Sequence, residues 1–243
     1  MQDFQLVAHR GYPKRYPDNS LAGIQAALDA GARHLEIDVQ LSTDGTPWLF
    51  HDESLQRVCG VGGRLVDLSD AGIEGLRASE APRLGDAFLD EPVARLSAVA
   101  DELRGRPEVF TFVEIKPVAV AALGAQPVVA AVAAELAGLE GRCAIISFST
   151  DCLRAAAATP FERGLILTEW EQLAREAAEL GCEYTFCDVD LLPSEGELEL
   201  DSRLVVYEVV DPELAALLGA RGARFVETFA YPEMRDALRL RGE

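Results

Sequence analysis

Lysine is almost absent from this chain of 243 residues, and acidic residues greatly outnumber basic ones. Only Lys14 and Lys116 are lysines among 22 basic residues, whereas 41 residues are acidic, and the formal net charge is -19. Nucleic acids and anionic membrane surfaces bind to broad positive fields, so this composition argues against both as partners. An anionic ligand would have to be bound by a local cluster of cations.

The sequence also lacks long apolar runs and regularly spaced cysteines. No uninterrupted apolar stretch approaches the roughly 20 residues that cross a bilayer, and no basic segment followed by an apolar run begins the chain. We therefore predict no integral membrane segment and a cytoplasmic location. The five cysteines are an odd number without metal-type spacing, which indicates reduced and mostly buried thiols.

Apolar segments with the character of buried strands alternate with helical patterns along the chain. They are centred on Val7, Ile37, Val113, Ile145, Ile166, Phe186, Val206 and Val226. Eight parallel strands with helices between them close into a barrel, so we predict the α/β class and a (β/α)8 TIM barrel. A doubly wound open sheet is the alternative fold. Since 243 residues are typical of one such barrel, we predict a single domain over residues 1–243.

A hairpin is predicted directly after the second strand, within residues 35–52. The dipeptide Asp44-Gly45 suits a two-residue turn, because both residue types tolerate positive φ. With that turn, the register places Asp38 directly opposite His51. The segment that follows, from about 53 to 92, is rich in glycine, and we interpret it as a loop-rich insertion over the site rather than a separate domain.

Polar side chains lie near the ends of three predicted barrel strands, and active sites of this fold lie at the carboxyl ends of the strands. These side chains are His9 and Arg10 on the first strand, Glu36 and Asp38 on the second, and Glu114 and Lys116 on the next, with His51 returned to the same rim by the hairpin. Three carboxylates around one point suit Mg²⁺ or Ca²⁺, and two nearby histidines suit the acceptance and donation of protons. The alternative is that this polar face is simply solvated.

Lys116 is one of the two lysines, in a chain that otherwise uses arginine. A compact ammonium group in a predicted buried strand is costly unless it contacts an anion. Its position two residues after Glu114 therefore favours a role in binding an anionic ligand. The alternative is a structural ion pair between Glu114 and Lys116.

Taken together, these segments resemble the glycerophosphodiester phosphodiesterase family. The matching motifs are VAHRG at residues 7–11, PDNS at 17–20, EIDVQLSTDG at 36–45, HD at 51–52 and VEIKP at 113–117. The resemblance implies a distorted TIM barrel that hydrolyses glycerophosphodiesters, which are small anionic substrates, to glycerol phosphate and an alcohol. It also implies one divalent cation, Mg²⁺ or Ca²⁺, a pair of histidines that act as acid and base, and basic side chains that bind phosphate. By this likeness Glu36, Asp38 and Glu114 bind the metal, His9 and His51 are catalytic, and Arg10 and Lys116 bind the substrate.

The chain departs from the family pattern in its late strands, at residues 206–209 and 227–229. Tyr207 would line the pocket for glycerol or the alcohol, or it packs within the barrel. The departures leave open a catalytically weak barrel that binds a phosphodiester. A phosphodiesterase that cleaves lysophospholipids is a further alternative, and it requires an apolar mouth built by residues 53–92. The sequence does not decide the head group, the choice of cation, which histidine is the acid, or the oligomeric state.

Overall fold

The computed structural model describes residues 4–170, 173–198 and 200–241. The strands are β1 (Gln5–His9), β2 (His34–Leu41), β3 (Pro47–Leu49), β4 (Phe110–Ile115), β5 (Cys143–Ser147), β6 (Glu162–Ile166), β7 (Tyr184–Asp188), β8 (Arg203–Tyr207) and β9 (Phe225–Thr228). The helices are α1 (Leu21–Asp29), α2 (Gln56–Cys59), α3 (Asp70–Glu74), α4 (Ala81–Leu84), α5 (Leu96–Arg104), α6 (Pro117–Leu123), α7 (Ala125–Glu135), α8 (Thr150–Ala156), α9 (Leu173–Leu180), α10 (Pro212–Arg221) and α11 (Tyr231–Arg241).

Among the described helices, none is by itself long and apolar enough to cross a membrane. The pair α6 and α7 passes the same criteria of length and composition when taken together, and it is bent by 117°.

All strands except β3 form one closed parallel barrel. Closure is shown by β1, which pairs in parallel with β2 on one side and with β9 on the other. The prediction of a (β/α)8 TIM barrel is confirmed, and the alternative of an open sheet is wrong, because an open sheet has two edge strands whereas β1 here joins β2 to β9 and closes the circle. Each of the eight predicted strand segments lies on a barrel strand.

Side chains alternate between the barrel interior and the layer that faces the helices, because successive residues of a strand point to opposite sides. The interior is filled by an apolar cluster of Val7, Phe112, Ala144, Ile146, Ile166, Tyr184, Phe186, Val205 and Phe225. Two residues further along their strands, the same face carries His9, Glu114 and Glu227, all buried. The apolar filling therefore ends where a layer of polar residues begins, at the carboxyl ends of the strands.

The hairpin after the second strand is present, but its predicted register is wrong by one residue. Val39 pairs with Leu49 in the antiparallel ladder. Phe50 N donates a hydrogen bond to Asp38 O at 3.0 Å, so Phe50 rather than His51 lies opposite Asp38. His51 lies beyond the end of β3, where the alternation of strand side chains no longer fixes its direction.

The cause of this shift is a longer hairpin loop than the predicted two-residue turn. Ser42 N donates to Thr46 O at 3.0 Å across the loop, which leaves residues 43–45 between them. Gly45 takes a φ of +83°. Three-residue hairpin loops commonly place a glycine in this left-handed region, and the added residue moves the register by one.

The loop after β1 packs tightly against the start of α1. Ser20 caps this helix, with its Oγ accepting a hydrogen bond from Gly23 N at 3.1 Å. Gly11 has a φ of +86°, and a Cβ there would lie 2.8 Å from the backbone C of Gly23 and N of Ile24. Glycine is therefore required at this position, and the close approach holds the preceding Arg10 at the barrel mouth.

Residues 53–92 form short helices with a small apolar core of their own against the hairpin. This core consists of Trp48, Phe50, Leu55, Val58, Leu65, Ile73, Ala78 and Val93. Glu80, only 2% exposed, joins the segment to the loop after β1. Its carboxylate accepts hydrogen bonds from Asp18 N and from Arg83 Nε, each at 2.7 Å. The segment is thereby fixed beside the loop that carries Arg10.

Gly11→Ala and Gly45→Ala separate backbone strain from steric exclusion. Both glycines have positive φ, so each alanine costs about 1–2 kcal/mol of unfolding free energy. Nothing lies within 4 Å of a Cβ at Gly45, whereas a Cβ at Gly11 clashes with α1. We expect Gly11→Ala to lose at least about 1 kcal/mol more than Gly45→Ala in urea unfolding. Equal losses would contradict the close approach at Gly11.

Candidate active site

Three buried carboxylates lie together at the barrel mouth, and we call them the carboxylate trio: Glu36, Asp38 and Glu114. Asp38 and Glu114 are direct partners across the β2–β4 pairing. One oxygen from each of the three side chains lies within 4.8 Å of the others. An all-oxygen set at this spacing fits a hard divalent cation such as Mg²⁺ or Ca²⁺. The predicted convergence of these carboxylates is thus observed.

Asp38 is fully buried and surrounded by donors. Asn19 Nδ2 donates to Asp38 Oδ2 at 2.8 Å, and Asn19 Oδ1 accepts from Asp38 N at 3.0 Å. Arg10 Nε lies 3.0 Å from Oδ2, and Lys116 Nζ lies 3.3 Å from Oδ1. Burial alone would raise the pKa of Asp38, but the charges of Arg10 and Lys116 outweigh it and lower the pKa. Asp38 is therefore held ionised.

Glu36 and Glu114 experience the opposite balance. Burial, together with the charges of Asp38 and Glu227, raises the pKa of Glu36 well above its ordinary value. Burial and the charge of Asp38 raise the pKa of Glu114 to about 7, although Lys116 Nζ lies only 2.7 Å from its Oε1. With all three carboxylates ionised, the trio would carry more negative charge than Arg10 and Lys116 offset, and the raised pKa values of Glu36 and Glu114 reflect burial together with this excess. A divalent cation would match both this excess of negative charge and the set of oxygen donors.

The alternative role of Lys116, an ion pair with Glu114, is present in the structure, but the pair is not isolated. Lys116 also faces Asp38 and lies 5.9 Å from the centre of the Phe148 ring. Its side chain lines the same cavity as His9. The ammonium group is therefore part of the polar cluster at the barrel mouth.

His9 ends β1 and is held on its ring face. Its imidazole stacks on Phe229 with ring centres 4.7 Å apart and an interplanar angle of 10°, and Tyr207 meets it edge-on at 6.3 Å. Nε2 lies 3.5 Å from Glu36 Oε2. Burial, and next the charge of Arg10, lowers the pKa of His9 well below its ordinary value. These neighbours favour the neutral imidazole.

His51 is oriented by its neighbour Asp52. His51 Nδ1 lies 2.8 Å from Asp52 Oδ1. Arg57 from the insertion donates two hydrogen bonds to the same carboxylate, from Nε to Oδ2 at 2.7 Å and from a terminal nitrogen to Oδ1 at 2.9 Å. A carboxylate fixed in this way accepts the Nδ1 proton and leaves Nε2 of the imidazole for chemistry.

Most of the predicted site residues line one cavity of about 290 Å³, which we call the inner pocket. Of the eight predicted residues, seven line it, namely His9, Arg10, Glu36, His51, Glu114, Lys116 and Tyr207. Asp38, with no exposed surface, lies behind this lining. The two histidines therefore share one cavity, as predicted, although the predicted register of the hairpin is wrong.

A second cavity of about 760 Å³ adjoins the inner pocket, and we call it the outer chamber. The two cavities share Arg10, His51 and Glu208. One wall is polar and includes Arg57 and Arg83 from the insertion. Apolar side chains from the segments after β8 and β9 also line the chamber, beside the carboxylate of Glu233: Val210, Pro212, Phe229, Ala230, Met234 and Ala237.

Sequence reasoning missed four residues that the structure places at the site: Asn19, Glu208, Glu227 and Phe229. Asn19 lies in the PDNS segment, which caps α1 and carries part of the family resemblance. Nothing in this motif indicated that the Asn19 side chain contacts Asp38. Glu227 and Phe229 lie in the late segment that departs from the family pattern. A charged residue within an apolar strand was the available signal for Glu227.

A model of the glycerophosphoryl diester phosphodiesterase family matches residues 9–158, which is more than half of the chain. Glycerophosphodiester phosphodiesterase 1 of Mus musculus is 36% identical over 105 residues, which cover 43% of this chain and 32% of that protein. The glycerophosphodiester phosphodiesterase of Caldanaerobacter subterraneus is 34% identical over 111 residues, which cover 46% of this chain and 44% of that protein. The match thus spans less than half the length of either relative.

Solved structures share the whole fold. A phosphodiesterase of Oleispira antarctica, in complex with the product sn-glycerol-3-phosphate, has a TM-score of 0.82 at 22% identity and covers 97% of this chain and 96% of that chain. A glycerophosphodiester phosphodiesterase of Agrobacterium tumefaciens has a TM-score of 0.78 at 24% identity and covers 96% of this chain and 99% of that chain. At these identities the likeness shows a common barrel.

Asn19→Ala tests whether the carboxylate trio is a metal site that depends on Asn19. Asn19 makes two hydrogen bonds to Asp38. Partners that orient metal ligands typically contribute a factor of about 10–100 in metal affinity, so we expect a loss of that size in calorimetric titration with Mg²⁺ and Ca²⁺.

Ser20→Ala is the matched control for this experiment. Ser20 caps α1 and has no hydrogen bond to the trio among the described contacts. We expect it to lose about 1 kcal/mol of stability and to keep its affinity for the cation. Equal affinities of the two variants would contradict the role of Asn19.

Proposed function

Since the chain belongs to the glycerophosphoryl diester phosphodiesterase family, we propose that it hydrolyses glycerophosphodiesters to glycerol phosphate and an alcohol. The reaction depends on one divalent cation, Mg²⁺ or Ca²⁺. The observation that carries this proposal is the carboxylate trio, with its oxygens within 4.8 Å of each other, at a pocket lined by two histidines.

The substrate is an anion, and Arg10 and Lys116 are the cations that bind it. Both side chains line the inner pocket of a chain whose net charge is -19. They lie close to Asp38, at 3.0 and 3.3 Å, so they are fixed in place before the substrate arrives. A bound divalent cation would supply additional positive charge for the non-bridging phosphate oxygens. Preorganised charge of this kind is most effective where negative charge develops during the reaction.

His9 and His51 carry the proton transfers. One imidazole takes a proton from the attacking water or from a substrate hydroxyl, and the other gives a proton to the departing alkoxide. Asp52, itself gripped by Arg57, sets the orientation of His51. The stack on Phe229 restricts rotation of the His9 ring. The orientation of His51 and the plane of the His9 ring are thus set before the substrate binds.

The segment 53–92 is best explained as an insertion in a single barrel domain over residues 1–243. Its short helices pack on the hairpin rather than on a separate fold, and Arg57 reaches Asp52 beside His51. The five free cysteines support the further proposal of a reducing, cytoplasmic location.

The direct test is product identification on a panel of glycerophosphodiesters with each cation in turn. We expect turnover that is lost on chelation and restored by Mg²⁺ or Ca²⁺. His9→Ala and His51→Ala should each lower kcat by a factor of about 10²–10⁴, the usual contribution of general acid or base catalysis.

His34→Ala is the matched control, because the third histidine of the chain lies at the start of β2 and packs on Phe110 and Phe225 away from the pocket. It should keep kcat within a factor of about two of the wild type. Cation-dependent binding without turnover across the panel would favour the binding barrel instead.

The outer chamber bears on the lysophospholipid alternative. The insertion contributes Arg57 and Arg83 to it, so the described lining lacks the apolar mouth of residues 53–92 that this alternative requires. The segments after β8 and β9 contribute an apolar wall, where Phe229, Met234 and Ala237 line the chamber and Val210 is 66% exposed. This wall supports a second candidate substrate, a glycerophosphodiester that carries one acyl chain.

Val210→Glu distinguishes the two substrates. With an acyl-chain substrate, a charge on the apolar wall should raise KM for lysophosphatidylcholine about tenfold, since burying apolar surface is worth about 1.5–3 kcal/mol per side chain. KM for glycerophosphocholine should not change. Leu217→Glu on α10 is the control, because Leu217 is 54% exposed and outside the chamber lining. Equal effects on both substrates would count against the acyl-chain candidate.

A further inference from the structure

Glu227 is a buried carboxylate that the proposed reaction does not use. It lies on β9, opposite Val7 of β1, and is only 2% exposed. The residue before it on the same face, Phe225, and its neighbour Val205 belong to the apolar filling of the barrel. An apolar side chain would be less costly here, because burying a carboxylate without full hydrogen bonding is unfavourable.

The nearest described partner of this carboxylate is the imidazole of His9. Glu227 Oε2 lies 3.9 Å from His9 Nε2, while Oε1 is buried and has no hydrogen-bond partner among the described residues. His9 Nδ1 is likewise buried without a partner. The only ring nitrogen of His9 with acidic neighbours is therefore Nε2, which faces Glu36 and Glu227.

Glu36 is the other carboxylate near Nε2 of His9, but it also has other partners. It is a member of the carboxylate trio, and its Oε2 also accepts from Arg10 N at 3.3 Å. Glu227 lies outside the group of carboxylates whose oxygens converge within 4.8 Å. A cation bound by the trio would therefore occupy Glu36 and leave Glu227 free to bind His9.

We propose that Glu227 is a positioning residue for His9: it accepts a hydrogen bond from Nε2–H, so that the proton that His9 transfers is held on Nε2, the ring nitrogen that faces the trio, and not on the buried Nδ1. This inference rests on the proposed function. The gap of 3.9 Å is longer than a hydrogen bond, and catalytic hydrogen bonds often tighten only when substrate binds. Phe229 holds the ring face and Tyr207 its edge, and Glu227 supplies the one directional contact that stacking cannot.

This role predicts that stability and activity change in opposite directions. In Glu227→Met, an apolar side chain of similar length replaces the buried carboxylate, so Tm should rise by about 2–4 °C. The value of kcat should fall about 10- to 100-fold, with KM nearly unchanged, since Arg10 and Lys116 still bind the phosphate. Glu227→Gln keeps an acceptor oxygen and should recover part of the lost kcat.

Thr111→Val is the matched control. Thr111 is fully buried on β4, and its Oγ1 also has no described hydrogen-bond partner. It alternates with Phe112, so it faces the helices rather than the pocket. Replacing it should raise Tm without changing kcat.

Two measurements separate this inference from the proposed function. Calorimetric affinity for Mg²⁺ should be the same in wild type and Glu227→Met. The imidazole ¹⁵N resonances of His9, assignable because the chain has three histidines, should shift in Glu227→Met and not in Thr111→Val. The resonance measurement does not require turnover, so it tests the contact between Glu227 and His9 even if no glycerophosphodiester is hydrolysed.

Several outcomes would overturn the positioning role. A lowered Tm with unchanged kcat in Glu227→Met would make Glu227 a structural residue. A raised KM with unchanged kcat would make it a substrate ligand, and a loss of Mg²⁺ affinity would place it with the trio. Unchanged His9 resonances would remove the contact on which the inference depends.

Discussion

Repulsion among buried carboxylates is the constraint on which the mouth of this barrel depends. The trio brings three acidic side chains within 4.8 Å of each other, and each is almost inaccessible to water. An uncompensated buried charge costs several kcal/mol, so such a cluster stays ionised only where cations are placed against it. Arg10 and Lys116 partly meet this need, and the excess that remains is the physical basis for expecting a divalent cation.

Backbone strain is concentrated around the same cluster. Among the described non-glycine residues, those with positive φ are Arg10, Asn19 and Glu80. Arg10 and Asn19 contact Asp38, and Glu80 fixes the insertion to the loop after β1. Each such residue costs about 1–3 kcal/mol and is tolerated only where its surroundings determine it. The strain is therefore offset by contacts that assemble the site, and Gly11 allows the close packing that these contacts need.

The inner pocket and the outer chamber are built by different parts of the chain. The inner pocket is built by the barrel strands, whose positions are fixed by the hydrogen-bond ladder. The outer chamber is built by the insertion on one side and by the segment around β9 and α11 on the other. Loops of this kind tolerate change better than barrel strands do. Under the proposed function, specificity for the alcohol could thus vary while the residues that bind phosphate and metal stay in place.

The sequence by itself determined the barrel and, through the strand ends, the place of seven of the eight predicted site residues at its mouth. Parallel strands place their carboxyl ends at one edge, so His9, Glu36 and Glu114 had to converge once the strands were recognised. The eighth, His51, was assigned to the same pocket by a hairpin register that proved wrong. Only the tertiary structure decided this register, the contacts of Asn19, the burial of Glu227 beside His9, and the outer chamber. These features depend on one extra loop residue and on packing between segments far apart in the chain, which periodicity and spacing do not encode.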